Sequence, residues 1–171
     1  RKIFLMYAKD SSSFSVRALC LTAVMTALVF LATFFPKIPI PLGYAHLGDA
    51  VIFLLAVFLP RKQAIFAASV GSALSDVLGG FFLWAVPTLL IKWLMVEIVS
   101  RLADREAGKL RVLAAFLASS LWMAFAYTVF GAVLYASVTA GLASAPGLLL
   151  EGVFNTLVTI VLLPAIQSGV L

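Results

Sequence analysis

A lysine, a histidine and four acids stand inside stretches whose neighbours are nearly all apolar: His46, Asp49, Asp76, Lys92, Glu97 and Glu151. A charged group in hydrocarbon costs several kcal/mol unless it is paired or hydrated, so each needs a partner or a task. Helical spacing groups them. Trp84, Thr88 and Lys92 fall on one stripe, Glu151 and Asn155 on a second, and Ser69, Ser72 and Asp76 on a third. His46, Asp49 and Phe53 fit one side of a further helix, and Tyr135 reaches the same level. An aromatic and polar pocket opening outward satisfies all of them. Such a site suits a small, flat, polar molecule that stacks on Trp84 and hydrogen-bonds to Asp, Asn, Lys and His groups. The candidate binding set is His46, Asp49, Asp76, Trp84, Thr88, Lys92, Tyr135, Glu151 and Asn155.

Plainer explanations exist for single members. Asp49 and Glu151 also fit helix N-termini, where a carboxylate is favourable. Asp76 lies near a helix C-terminus, the wrong end for an acid, which favours a role or a cationic partner. Lys92 fits an ion pair made for packing, and Glu97 a partner among the basic loop residues. His46 fits a helix cap at the headgroups. Trp84 and Trp93 fit core or interfacial aromatics.

Catalytic motifs are missing. Gly147 and Gly152 have the spacing of a phosphate loop but no Lys follows, so ATP is not hydrolysed here by that route. There is no HExxH, no CxxC and no second histidine, which excludes a histidine-rich metal site. Nothing resembles a nucleophile elbow. No catalytic residue and no metal ligand is assigned.

The elements that position these residues follow from composition. Of 171 residues, 64% are hydrophobic and 11% charged, and the mean hydropathy is +1.16. Soluble domains run about 45–50% apolar and about 25% charged. So small a globule cannot hide so much apolar surface, and lipid must cover the rest. In lipid every backbone polar group needs an internal partner, which leaves helices or a closed barrel. The apolar runs are unbroken and about 20 residues long, which selects helices. The expected fold is all-α, a single polytopic membrane domain over 1–171, with helices over about 14–35, 46–59, 63–78, 82–103, 112–137 and 148–168. Ser11, Ser12 and Ser13 precede the first helix. Pro36, Pro39, Pro41 and Gly43 interrupt the chain over 36–45, a loop too apolar to be an ordinary solvated one. A small-residue loop is expected over 138–147.

Basic residues orient the bundle. Arg1, Lys2, Lys9 and Arg17, then Arg61 and Lys62, then Arg101, Arg105, Lys109 and Arg111 occupy the N-terminal tail and the second and fourth loops. The alternate loops hold only Lys37. Six helices therefore place both termini inside. The same rule accounts for the net charge of +5 without a nucleic-acid partner. Cys20 is the lone cysteine, so no intrachain disulfide forms. The first apolar run is too long for a signal-peptide core and has no convincing cleavage site. The chain begins at Arg1 rather than Met, which fits a few residues missing upstream. In the first helix Ala23 and Ala27 form a small-xxx-small pair, suited either to internal packing or to a partner helix.

The stretch Leu47-Gly48-Asp49-Ala50-Val51-Ile52-Phe53, with Gly71-Ser72-Ala73-Leu74-Ser75-Asp76 and Ile91-Lys92, resembles the substrate-binding S components of energy-coupling factor (ECF) transporters. Within them it is similar to the branch assigned to hydroxymethylpyrimidine or pyridoxine. It departs from the Lys-Gly-x-Glu-Gly run of many relatives, because Lys92 is followed by Trp93, Leu94, Met95 and Val96 and the acid comes at Glu97. The resemblance implies a subunit of the prokaryotic plasma membrane that captures a vitamin or vitamin precursor at its outer face. It implies docking through Ala23 and Ala27 onto a transmembrane coupling subunit. Two cytoplasmic ATPases would carry the ATP and Mg²⁺, so this chain itself needs no cofactor. ATP hydrolysis is thought to topple the S component and deliver the substrate inward, with the 36–45 loop as a lid. Two other readings compete: a stand-alone secondary transporter or channel acting as an oligomer, and an intramembrane enzyme or assembly factor.

Overall fold

The computed structural model describes residues 15–35, 37–103 and 107–168. Arg1, Lys2, Lys9, the Ser11–Ser13 run, Pro36 and Arg105 lie outside the described residues. Among the described residues, six helices and one small hairpin follow each other along the chain.

Helix α1, Val16–Phe34, starts at Ser15, whose side chain accepts the Ala18 amide. It ends at Phe35, which is extended, as expected of the residue before a proline. The prolines then produce an element that an all-α reading does not contain. Strands β1, Ile38–Ile40, and β2, Gly43–Ala45, pair antiparallel, with Pro39 opposite Tyr44. Pro41 and Leu42 make the turn, and Leu42 is held at φ 65, a left-handed conformation that costs a leucine on the order of 1 kcal/mol.

Helix α2, Gly48–Phe58, has 11 residues, about 16 Å of rise, so it cannot cross a hydrocarbon core of about 30 Å. It sits in the middle of the bundle. Ile52 and Phe53 are fully buried, and Phe53 stacks on Phe116 at 5.0 Å. Helix α3, Arg61–Leu78, packs closely on α1, where a Cβ on Gly71 would meet the Thr26 carbonyl at 2.7 Å. Helix α1 packs through Thr26, Val29 and Thr33, whereas Ala23 and Ala27 are exposed. They are therefore not spent on packing within the chain.

A 3-10 turn, Phe82–Trp84, leads into α4, Ala85–Leu102. Helix α5, Lys109–Leu134, and α6, Val138–Gln167, complete the bundle. The expected loop over 138–147 is helical, and the chain reverses instead within three residues. Tyr135 ends α5, Ala136 takes φ 48, and Ser137 caps α6 by accepting the Ala140 amide. Small residues here permit contact rather than cause a break. A Cβ on Gly141 would meet the Thr128 carbonyl at 2.6 Å. Pro146 and Pro164 both lie inside α6, a tolerance that lipid-embedded helices show because no water competes for their backbone groups.

Among the described residues four helices are long and apolar enough to span: Val16–Phe34, Phe82–Leu102, Lys109–Leu134 and Val138–Gln167. Their outward residues, such as Leu121, Phe125, Leu150 and Val161, are apolar and exposed, as a lipid-facing surface requires. The protein is thus a mainly helical, multi-pass membrane protein with one short hairpin among its described residues. Short connections make successive helices antiparallel and define two ends. One end carries the hairpin. The other carries Arg17, Arg61, Lys62, Arg101, Lys109 and Arg111. Glu97 meets this basic end, bonded to Arg61 and lying 2.6 Å from Arg101.

Candidate functional site

The hairpin end holds an open cleft of about 500 Å³, a volume that takes in solvent space at its mouth. The hairpin forms one wall, from Ile40 through Tyr44 to His46. Opposite it stand Trp84 and Lys92 from the α4 segment, Tyr127 from α5 and Glu151 from α6, with Asp76 of α3 to the side.

The nine predicted residues divide into two groups. His46, Asp76, Trp84, Lys92 and Glu151 line the cleft. Asp49, Thr88, Tyr135 and Asn155 stand behind that lining and hold it in place. Asp49 is fully buried and bonds to the Lys92 ammonium at 2.5 Å. Thr88 donates to Asp76 Oδ2 at 2.5 Å, which uses its proton, so Tyr127 donates in turn to Thr88 at 3.0 Å. Tyr135 is 43% exposed and takes the Trp84 indole N–H at 3.4 Å from outside.

Asn155 carries the join between the hairpin and the bundle. Its Oδ1 accepts the Ala50 amide at 2.9 Å, and its Nδ2 donates to the His46 carbonyl at 2.8 Å and to the Glu151 carbonyl at 2.9 Å. The need arises at the start of α2. The first amides of a helix have no partner inside it, and Leu47 at the cap position has no polar side chain to offer. Distant groups answer instead. His46 Nδ1 accepts the Gly48 amide at 3.1 Å, and Asn155 accepts the Ala50 amide. This corrects the placement of His46 on one side of α2 with Asp49 and Phe53. It lies before the helix, because its own backbone is needed by α6: its amide donates to Glu151 Oε1 at 3.1 Å.

His46 Nδ1 also lies 3.1 Å from Glu151 Oε1, a contact that is attractive only when one of the two carries a proton. Burial, the largest cause, lowers the His46 imidazole to about 4, against an opposing pull from Asp49. The imidazole is therefore neutral at pH 7. Burial and the Asp76 carboxylate raise the Tyr44 phenol, so it stays a donor, 3.0 Å from Asp76 Oδ1. Asp76 thus takes one hydrogen bond from the hairpin and one from α4. This resolves the acid at the wrong end of a helix: Asp76 holds the hairpin down through hydroxyl donors rather than through a cation.

Three aromatic residues of the cleft, Tyr44, Phe81 and Tyr127, were not in the predicted set. Tyr44 touches Phe81 at 5.2 Å, and Tyr127 touches Trp84 at 5.5 Å. A signal was present for the two tyrosines. Tyr44 is two residues from His46 and so shares its face of an extended segment, and Tyr127 lies two helical turns before Tyr135. Ser144 and Leu148 also line the cleft, which follows from the helical course of 138–147. Among the described residues no group of three or more His, Cys, Asp or Glu side chains could hold a metal ion.

Two comparisons bear on this arrangement. An uncharacterized protein of Pyrococcus woesei, from a gap 3′ region, is 36% identical over 109 residues, covering 63% of this chain and 73% of the relative. The family model for the ECF-type riboflavin transporter S component matches residues 13–168. That match takes in every described helix and the whole cleft, and the chain belongs to the family of ECF-type riboflavin transporter S components.

Proposed function

We propose that the chain captures a flat, nitrogen-containing aromatic vitamin in the cleft beneath the hairpin. The carrying observation is the lining itself: Trp84, Tyr127, Tyr44 and Phe81 supply ring faces, and Lys92, Asp76 and Glu151 supply polar groups at fixed positions. Such a site grips the faces of a ring and reads its edge. Riboflavin is the first ligand to test, because the matched family is described by it. A smaller ring, hydroxymethylpyrimidine or pyridoxine, is the second reading. The two carboxyl groups on the wall, Asp76 and Glu151, favour it as acceptors for a compact ring bearing amino or hydroxyl donors.

In this reading all six helices lie in the prokaryotic plasma membrane, with both termini and the basic end in the cytoplasm and the hairpin outside. The hairpin is a lid, and shortening it speeds ligand release; an unchanged off-rate would count against that role. The exposed Ala23 and Ala27 are the docking stripe for a transmembrane coupling subunit, which brings two cytoplasmic ATPases with their ATP and Mg²⁺. The supporting test is a titration of the detergent-purified chain with riboflavin, pyridoxine and hydroxymethylpyrimidine, followed by thermal shift. Saturable stabilisation by one of them supports the reading. Transport by the isolated chain in liposomes without ATP would instead favour a stand-alone carrier.

A further inference from the structure

Lys92 and Asp49 form an ion pair inside the bundle, at 2.5 Å, with side chains 1% and 0% exposed. The ammonium has three donors. One goes to Asp49 Oδ1, and the Tyr127 ring lies 5.4 Å from Nζ. Lys92 lines the cleft, whereas Asp49 does not. The lysine therefore offers donors to whatever fills the cleft, while its charge is cancelled from behind.

The other charges around the cleft do not restore a positive field. Lys37 lies outside the lining, with its ammonium over the rings of Phe34 at 4.1 Å and Tyr44 at 4.3 Å. His46 is neutral at pH 7 and adds no positive charge, and Glu151 lies 3.1 Å from its Nδ1. Asp76 adds no positive charge either and receives only hydroxyl donors. The wall thus holds a cationic donor without net positive charge.

We propose that Lys92 determines specificity by donating to an uncharged acceptor on the ligand, a ring carbonyl or ring nitrogen, while Asp49 cancels its charge so that a phosphate-bearing form of the same vitamin is refused. This rests on the proposed function and narrows the ligand to the unphosphorylated vitamin. Each partner has a distinct effect on preference. Without Asp49, Lys92 becomes a bare cation and attracts an anion. Without both, the cleft keeps its charge balance and loses its donor.

The test is a titration of the purified chain with two pairs: riboflavin and riboflavin 5′-phosphate, and pyridoxine and pyridoxine 5′-phosphate. The free vitamin that binds is expected to do so on the order of 100-fold more tightly than its ester. In Asp49→Asn the gap narrows by about tenfold or more, because the ester gains. In the double variant Asp49→Asn with Lys92→Met, which buries no unpaired charge, the ester stays weak and the free vitamin weakens by about tenfold. A purely structural pair would shift both ligands together, so the ratio is the readout. Equal or tighter binding of the ester by the unaltered chain overturns the proposal and leaves the vitamin-binding reading standing. A double variant that binds the free vitamin as tightly as the unaltered chain overturns it too. Failure of all four compounds, and of hydroxymethylpyrimidine, to bind removes the reading on which it rests.

Discussion

Replacing Asn155 by Ala separates the hairpin from the bundle at a single point. The amide is fully buried and joins three elements. Truncation leaves the buried Ala50 amide and the part-buried His46 carbonyl without their partner. An unsatisfied buried group costs about 1–3 kcal/mol, so the pair sums to roughly 2–6 kcal/mol. The floor is lower in a membrane, where interhelical hydrogen bonds average about 0.6 kcal/mol, which makes roughly 1 kcal/mol for two. For a chain of this size 1 kcal/mol shifts Tm by about 2–4 °C. The expected fall is therefore at least about 2 °C, measured by thermal unfolding of the detergent-purified chain without added ligand. Hydrogen exchange at the Ala50 amide should accelerate in parallel. The matched control is Phe154→Ala, one residue away and 54% exposed, which should change Tm less than Asn155→Ala does. An Asn155→Ala variant with the same Tm and the same Ala50 exchange as the parent would refute the reasoning, because it would mean that the α2 amides do not depend on α6.

Three further outcomes follow from the same geometry. Trp84→Ala should weaken vitamin binding by about tenfold, read as a right-shifted titration, because it removes one of the aromatic faces of the cleft. Ala27→Trp should leave binding to the isolated chain unchanged and abolish co-purification with the coupling subunit, since Ala27 is exposed and lines no part of the cleft. The His46 pKa of about 4 in the folded chain lies below its ordinary 6.5, so the unfolded chain binds more protons between these values. The His46 contribution to stability is full above pH 6.5 and is lost as pH falls toward 4, by about 3 kcal/mol in all. A pH series of unfolding midpoints checks this, and His46→Gln should flatten it.

The helices were legible because lipid demands long apolar runs, and those runs are unbroken here. The misreadings came from rules made for water. Gly141, Gly147 and Pro146 signal a loop in a soluble chain, but in α6 Gly141 allows close contact with α5, Gly147 allows close contact with Ile40 of the hairpin, and proline is tolerated. The hairpin escaped notice because its strands are three residues long and contain Pro39. Helical spacing did bring Trp84, Thr88 and Lys92 to one stripe, and Glu151 and Asn155 to another. Spacing alone does not separate a residue that faces the cleft from one that supports it. Asp49 and Asn155 read like ligand contacts in the sequence, yet their partners are a lysine and backbone groups that only the tertiary fold brings near. Tyr127 was missed for the opposite reason. Aromatic residues are common in this chain, and a place two helical turns before Tyr135 is too general to mark this tyrosine as the one that touches both Trp84 and Thr88.

If the hairpin cleft binds a vitamin with high affinity without help from any partner, the chain purified alone in detergent carries it. Denaturing that chain and identifying by mass spectrometry what it releases should give one flat aromatic vitamin or precursor in stoichiometric amount, with that amount falling sharply in Trp84→Ala. An empty chain that also shows no thermal shift with a vitamin panel would contradict such binding.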